Sequence, residues 1–301
     1  MASNIREVLA KADQYLQKHE IDSSRLDAEV LLAELLDTER IKLYVNYDYP
    51  LTEEQLTAYR ERIKERAQGI PVSYITGRTE FMSLEFVIDR GVLIPRPETE
   101  ELVEKVLQFC RDKDWQQPKI VDLGTGSGAI MVSLAHYLPE ARVIGTDISD
   151  QAVKTARKNI KKHELTDRAA VLAGSWARPL LPEKAGEVDL VVANPPYIAE
   201  KDIQDLPQNV RAEPDRALAG GEDGLECYHE LLPQAGKLLH SGGLLALEIG
   251  CEQGEDLLKA IEREGTWQNS RLEQDGCGRD RFILAEYQGE NKKARGEVNG
   301  N

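Results

Sequence analysis

From Lys119 onward, short aliphatic runs alternate with amphipathic stretches at helical spacing, and few folds accommodate that alternation. Ile120-Val121, Arg142 to Asp147, residues 169–173, Val188 to Ala193 and Leu244 to Ile249 each read as a strand. Near-continuous apolar runs bounded by breakers belong to strands buried on both faces, as in a parallel sheet covered by helices. Helices are expected at 150–162, 225–240 and 253–263, and around Ile130, Val132 and Leu134. Two further strands, near 268–274 and 280–286, flank Asp275-Gly276-Cys277-Gly278, a hairpin signal that makes the final pair antiparallel.

Upstream, residues 1–70 read as helices only. Ile5, Val8, Leu9, Ala12 and Leu16 lie on one helical face, with Asn4 and Glu7 spaced as a capping box. Leu26, Val30, Leu31 and Leu35 mark a second helix, opened by Ser23 or Ser24. Thr52 and Gln55 cap a third through Leu56, Tyr59 and Ile63, and Gly69 with Pro71 ends it. Tyr44, Tyr47 and Tyr49 are expected to be core or packing residues rather than a binding face. Tyr74–Thr79 and Phe81–Ile88 are expected to form a β-hairpin, a natural joint between domains. Leu93 to Glu100 then leads into an amphipathic helix, with Pro97 where the missing N–H is harmless and acids at the positive helix end.

Chemistry concentrates at strand ends. Asp122-Leu123-Gly124-Thr125-Gly126-Ser127-Gly128 turns from strand to helix, where glycines let a ligand approach the backbone and the helix offers free N–H groups. Asp147 ends the next strand at the position that meets a ribose diol in nucleotide-binding α/β folds. Trp176 follows the third strand, placed to stack on an adenine ring or to pack locally. Behind Val188 to Ala193 stands Asn194-Pro195-Pro196-Tyr197. The prolines stop the strand and restrict Asn194 to an extended backbone, so its amide is held at the strand's carboxyl end. Residues 198–224 show little periodicity, as functional lids or disordered loops do.

The chain of 301 residues is long for one core, and a large domain plus a smaller one is expected. A formal net charge of −15 argues against binding through neutralised phosphates. Cys110, Cys227, Cys251 and Cys277 lie far apart, and neither they nor the five histidines show metal-ligand spacing, so no metal is expected. No signal peptide or membrane-length apolar run is visible, and a reduced, cytoplasmic protein is the expectation.

An Asp-x-Gly-x-Gly-x-Gly turn in a seven-stranded sheet with an antiparallel end resembles the class I S-adenosylmethionine-dependent methyltransferases. Asn194-Pro195-Pro196-Tyr197 resembles their amino-methylating branch, which includes adenine-N6 and protein-glutamine enzymes. Ile94 to Glu100, Glu213-Pro214, Ala217-Leu218, Leu247-Glu248-Ile249-Gly250 and the helical amino terminus together resemble the release factor glutamine methyltransferase (PrmC/HemK) family. Phe81-Met82-Ser83 departs from the aromatic-aromatic-glycine expected there. The resemblance implies an α/β fold: a seven-stranded, mostly parallel Rossmann-like methyltransferase sheet with a small N-terminal helical bundle joined by a β-hairpin. It also implies a substrate-recognition domain at 1–70, a hairpin linker at 71–95, a catalytic domain at 96–287 and a disordered tail at 288–301. Its implied cofactor is S-adenosylmethionine, wrapped by Gly124, Thr125, Gly126, Ser127 and Gly128, with Asp147 on the ribose, Trp176 near the adenine and Asn194 alongside. Asn194, Pro195, Pro196 and Tyr197 would form the substrate amide site, with Asn194, Pro195 and Tyr197 acting in catalysis. The implied substrate is the glutamine of Gly-Gly-Gln in class-1 peptide-chain release factors, without direct nucleic-acid or membrane binding.

Two other readings stay open on the residues themselves. An adenine amino group fits the same Asn-Pro-Pro-Tyr pocket, although a basic recognition domain is then expected. Gly124, Gly126 and Ala129 also match the dinucleotide fingerprint G-x-G-x-x-A of a nicotinamide-dependent oxidoreductase or a non-catalytic cofactor module.

Overall fold

The structure is a computed structural model that describes residues 3–181 and 183–289. Of the tail expected at 288–301, residues from 290 onward lie outside the described residues. The chain divides into two compact units. One runs to Arg78 and includes Leu206–Glu213; the other runs from Thr79 to Asp205 and resumes at Pro214.

The first unit is helical: α1 (Ile5–Gln17), α2 (Ser24–Leu35), α3 (Arg40–Val45), α4 (Glu53–Ala67) and α5 (Val72–Thr76). The apolar stripes of α1, α2 and α4 meet in one core that includes Leu9, Leu16, Leu31, Leu32 and Tyr59. Of the three expected caps, those of α1 and α4 form, whereas Ser23 makes no capping bond to α2 and the Ser24 hydroxyl donates to Asp13 instead. Asn4 accepts from the Glu7 N–H at 3.0 Å, and Thr52 and Gln55 make a reciprocal capping box. Tyr59 is buried, and its hydroxyl donates to the Ala28 carbonyl at 2.8 Å. Asp27 and Arg66 form a buried ion pair at 2.6 Å between α2 and α4.

Two local expectations fail here. Tyr44 and Tyr49 are exposed, and only Tyr47 packs against the bundle core. The reason is α3, six residues too short to show a helical period, which leaves Tyr44 at the surface with its hydroxyl on Glu29. Likewise Tyr74–Thr79 is not a strand. Pro71 opens the short helix α5, and Gly77, at φ +75°, closes it in the left-handed region. The hairpin is instead β1 (Arg78–Phe81) and β2 (Leu84–Val87), turned by Met82 and Ser83 at φ +51° and +57°. Two successive positive φ values are those of a type I′ turn, which matches strand twist but favours Asn and Gly.

The second unit continues with α6 (Pro97–Asp112), β3 (Lys119–Leu123), α7 (Ala129–Tyr137), β4 (Arg142–Asp147), α8 (Asp150–Lys162), β5 (Ala169–Ala173) and β6 (Val188–Ala193). A helical turn, α9 (Gln208–Arg211), falls in the segment that belongs to the first unit. Then follow α10 (Glu226–Leu238), β7 (Leu239–Glu248), α11 (Gly254–Glu264), β8 (Trp267–Gln274) and β9 (Asp280–Tyr287). Seven of these strands form one sheet in the order β5-β4-β3-β6-β7-β9-β8. The first five in that order are parallel; β9 is antiparallel to both β7 and β8. Leu190, Val191, Val192 and Ala193 are completely buried, as a central parallel strand covered on both faces requires.

The chain leaves β3 toward β4 on one side and reaches β6 on the other, so strand order reverses at β3. Crevices at such reversals, outside the carboxyl ends of the strands, are where open α/β sheets bind ligands. Gly128 closes the β3 turn at φ +83°, where a Cβ would stand 3.2 Å from the Ala156 Cβ. Only glycine lets α7 and α8 approach this closely. The β7 strand begins at Leu239, because Leu239 already has an extended backbone where helical residues to 240 are expected.

The turn at Met82-Ser83 generates a stability prediction. Replacing Met82→Asn and Ser83→Gly together should stabilise the protein by about 1 kcal/mol, by relieving left-handed strain at two positions. Denaturant melts of the two proteins measure it, and an unchanged or lowered midpoint would refute the turn assignment.

Candidate active site

The site is built from the carboxyl ends of β3, β4 and β6. At the end of β3 the chain folds back so that the N–H groups of Gly124 and Thr125 both donate to the Thr146 carbonyl, at 2.8 and 2.9 Å. The Thr125 hydroxyl donates to Asp122 Oδ2 at 2.6 Å, tying the turn to the buried strand. At the end of β4, Asp147 accepts from the Gly126 N–H on Oδ2 and from the Ser149 N–H on Oδ1, both at 2.8 Å. These bonds fix the carboxylate, yet each oxygen keeps a lone pair for a further donor. Burial raises the Asp147 pKa, opposed by its two backbone hydrogen bonds and by the Arg216 charge.

A cavity of about 290 Å³ opens at these strand ends. Of the residues singled out in the sequence, Gly124, Thr125, Gly126, Ser127, Asp147, Trp176, Asn194 and Pro196 line it. A side chain on Gly126 would meet no atom within 4 Å, so the backbone of the turn is open to a ligand. A Cβ on Gly124 would stand 3.3 Å from the Trp176 ring. Trp176 thus borders the cavity and also packs against the sheet core, while its Nε1 donates to Glu230 Oε2 at 3.0 Å. Gly128, Pro195 and Tyr197 are not among the lining residues. Gly128 and Pro195 are buried, and the Tyr197 ring packs against the sheet core with the Arg281 guanidinium 6.0 Å from its centre. Burial, followed by the Glu248 charge, pushes the Tyr197 phenol up to about 12.

Asn194 stands directly after β6. Its Nδ2 donates to the Thr99 hydroxyl at 3.0 Å, and Thr99 donates in turn to Glu248 Oε2 at 2.7 Å. Thr99 lies in the first turn of α6 and Glu248 at the end of β7, so three elements converge on this one amide. Glu248 is only 1% exposed, and burial pushes its carboxyl up to about 7 against the Thr99 hydrogen bond and the Arg281 charge. The turn after Tyr197 is equally fixed: Gln253 Nε2 donates to the carbonyls of Tyr197 and Gly224, at 2.9 and 3.0 Å.

Sequence reasoning did not single out Thr99, Glu248, Arg216 or Glu230 as site residues, although Thr99 and Glu248 sit within motifs that it noted. Glu248 carried a usable signal, an ionisable residue closing an otherwise apolar central strand. Thr99, behind Pro97 and among helix-capping acids, carried none.

A seven-stranded sheet of this order, with a glycine turn and an acidic strand end facing the crevice, defines the class I methyltransferase fold. The hMettl16 catalytic domain, solved in complex with a MAT2A 3′UTR hairpin, shares that fold. It aligns with a TM-score of 0.53 at 18% identity, over 80% of this chain and 84% of that one. Residues 7–77 match the PrmC N-terminal domain family, and residues 102–222 match the methyltransferase small domain family. The chain is 43% identical over 281 residues to the release factor glutamine methyltransferase of Moorella thermoacetica, covering 93% of this chain and 98% of that one. The corresponding protein of Geobacter sulfurreducens is 39% identical over 280 residues, with 93% and 95% covered. The chain belongs to the release factor glutamine methyltransferase family. Among the described residues, no helix is long and apolar enough to cross a membrane.

The buried acids generate a pH prediction. With their folded-state pKa values raised to about 7, Asp122 and Glu248 hold protons that the unfolded chain gives up near pH 4. Their contribution to stability is therefore fully present below that lower value and is lost as pH rises through about 7. Glu248→Gln removes one such group, so its melting temperature should fall less than that of the unaltered protein between pH 5 and 8. Parallel curves across that interval would contradict the assignment.

Proposed function

We propose that this protein transfers a methyl group from S-adenosylmethionine to the side-chain amide nitrogen of the Gly-Gly-Gln glutamine in class-1 peptide-chain release factors. The observation that carries this reading is the state of Asn194. Its amide nitrogen is bound to Thr99 and also hydrogen-bonds the Glu248 carboxylate, which leaves Oδ1, with no partner among the described residues, to accept from a substrate N–H. Family membership supports the choice of substrate, and the fixed carboxylate of Asp147 with the open Gly126 turn supports the cofactor.

Bound in this crevice, the cofactor supplies an electrophilic methyl on a sulfonium. The turn from Gly124 to Ser127 would hold its amino-acid and ribose portions, Asp147 would accept from the ribose hydroxyls, and Trp176 would wall the adenine end. The substrate nitrogen is a weak nucleophile, because its lone pair is delocalised into the carbonyl. Two acceptors, Asn194 Oδ1 and the Pro195 carbonyl, would accept hydrogen bonds from its N–H groups, orient it and favour pyramidalisation, and the proton released after methyl transfer passes to water. Tyr197 restricts the turn around the flat amide. Preorganised acceptors of this kind lower the barrier by positioning and electrostatics and need no strong base. The helical unit recognises the protein substrate, while the sheet unit holds the cofactor. A translation-factor substrate supports a cytoplasmic location, and a net charge of −15 supports a protein over a nucleic-acid substrate.

The test is transfer from labelled S-adenosylmethionine to a release factor, to the same factor with the Gly-Gly-Gln glutamine changed to alanine, and to DNA. Label in the first alone is expected; label in DNA or in the altered factor would overturn the substrate. Within that assay, Asn194→Ala should lower single-turnover transfer by a few hundred-fold, about 3 to 4 kcal/mol, while the protein stays folded and retains cofactor. Separately, Asp147→Ala should weaken cofactor binding by about 1.5 to 3 kcal/mol, as loss of charged hydrogen bonds does. Unchanged affinity by calorimetry in a folded variant would remove Asp147 from the cofactor site.

A further inference from the structure

An asparagine amide is nearly symmetric in shape but opposite in polarity at its two ends, and a half-turn about its last bond exchanges acceptor for donor. The reading of Asn194 as an acceptor requires one of those orientations. We propose that Thr99 and Glu248 are positioning residues that set which end of the Asn194 amide faces the substrate; this rests on the function proposed above.

The logic lies in the proton inventory. An ionised carboxylate can only accept, so the single hydroxyl proton of Thr99 goes to Glu248, at 2.7 Å. The Thr99 oxygen then has only lone pairs to offer Asn194, and the group it faces at 3.0 Å must be the amide nitrogen. Oδ1 is thereby turned toward the cavity. The carboxylate polarises the chain in one direction, and Asn194, which lines the cavity, is its last member.

Burial argues that Glu248 and Thr99 do more than fill space. Glu248 is 1% exposed and Thr99 4% exposed, at the end of a strand whose Leu244, Leu245, Ala246 and Leu247 are completely buried. A carboxylate there is costly unless its charge has a use, and an apolar residue would serve packing better. The charged and titratable groups around it are Arg281 from β9, Glu98 from α6, Tyr197 after β6 and Tyr228 from α10. The Tyr228 hydroxyl donates to the Glu248 main-chain carbonyl at 2.9 Å and leaves the carboxylate to Thr99 and to the Asn194 amide, whose own hydrogen bond to it favours the same orientation. Burial, against the Thr99 hydrogen bond and Arg281, pushes the Glu248 carboxyl up to about 7. Once protonated, the carboxyl can donate to Thr99, which frees the hydroxyl proton for Asn194 Oδ1 and lets the amide reverse.

The test uses the full chain and a release-factor substrate. Thr99→Val, close in shape but without a hydroxyl, should lower kcat about ten- to one-hundred-fold while KM for cofactor and release factor stays within about two-fold. Thr99→Ser restores the hydroxyl and should recover kcat to within about three-fold of the unaltered protein. The kcat of the unaltered protein should fall with pH through about 7. Glu248→Gln, which can present either a donor or an acceptor to Thr99, should have a lower and flatter profile. Melting curves and cofactor affinity report folding for each variant. The proposal is overturned if folded Thr99→Val turns over at the unaltered rate, or if Thr99→Ser is as impaired as Thr99→Val, which would make the effect one of packing. Asn194→Ala separates the two levels. If it loses transfer while Thr99→Val does not, only the positioning role falls; if it keeps the unaltered rate, the acceptor reading falls with it.

Discussion

Everything at the crevice depends on the parallel ladder that clamps β6 between β3 and β7. Val191 pairs with Val121 on one side and with Leu245 on the other, and the strand between is buried on both faces. A strand so held cannot slide by one residue without reversing every side chain. The two prolines behind Ala193 stop pairing at a fixed point, so the position of Asn194 is inherited from the sheet and not from a mobile loop. The rest of the site is referred to the same frame. Asp147 ends β4, which is in register with β3, and Glu248 ends β7, which is in register with β6.

The distribution of carboxylates separates site from scaffold. Asp147 lines the crevice, Asp122 and Glu248 lie buried near the ends of neighbouring strands and reach it through Thr125 and Thr99, and burial raises the pKa of each. Acids with scaffold roles go the other way. Asp89 is held low, despite partial burial, by hydrogen bonds from Lys158 and Thr155, and Glu273 by hydrogen bonds from Lys105 and Arg271. The scaffold acids therefore favour folding when ionised, whereas the crevice acids make the ionised fold less stable. Such groups persist when a site requires them, and perturbed acids gathered in one cleft are a physical mark of function.

The sheet was legible because its strands obey simple rules: five apolar runs, each bounded by a breaker, and a Gly-containing hairpin at the end. That Gly124 to Ser127, Asp147 and Asn194 would line one cavity was legible because they stand at strand ends of an open α/β sheet, whereas Gly128 turned out buried between α7 and α8. The Tyr74–Thr79 segment was misread because Tyr, Ile and Thr favour strands, while Pro71 and Gly77 set a five-residue helix too short to show a period. Tyr44 was misread for a related reason, since its helix α3 is a turn and a half long. Thr99 and Glu248 stand 149 positions apart and meet only because α6 packs beside β7. Spacing along the chain holds no trace of that meeting.

An acceptor at Asn194 is indifferent to what carries the NH₂ group. A glutamine amide and an adenine amino group are both planar, both conjugated, and both able to give two N–H bonds to the same pair of oxygens. Specificity must then come from surfaces that meet the remainder of the substrate. For a nucleic acid, those surfaces would have to neutralise phosphates, which the net charge of −15 opposes overall. For a protein, a folded helical unit with its own core and caps would offer a recognition element, as proposed above. On the proposed reading one acceptor site would suit several nucleophiles, and the choice among them would fall to the parts of the chain that never touch the methyl group.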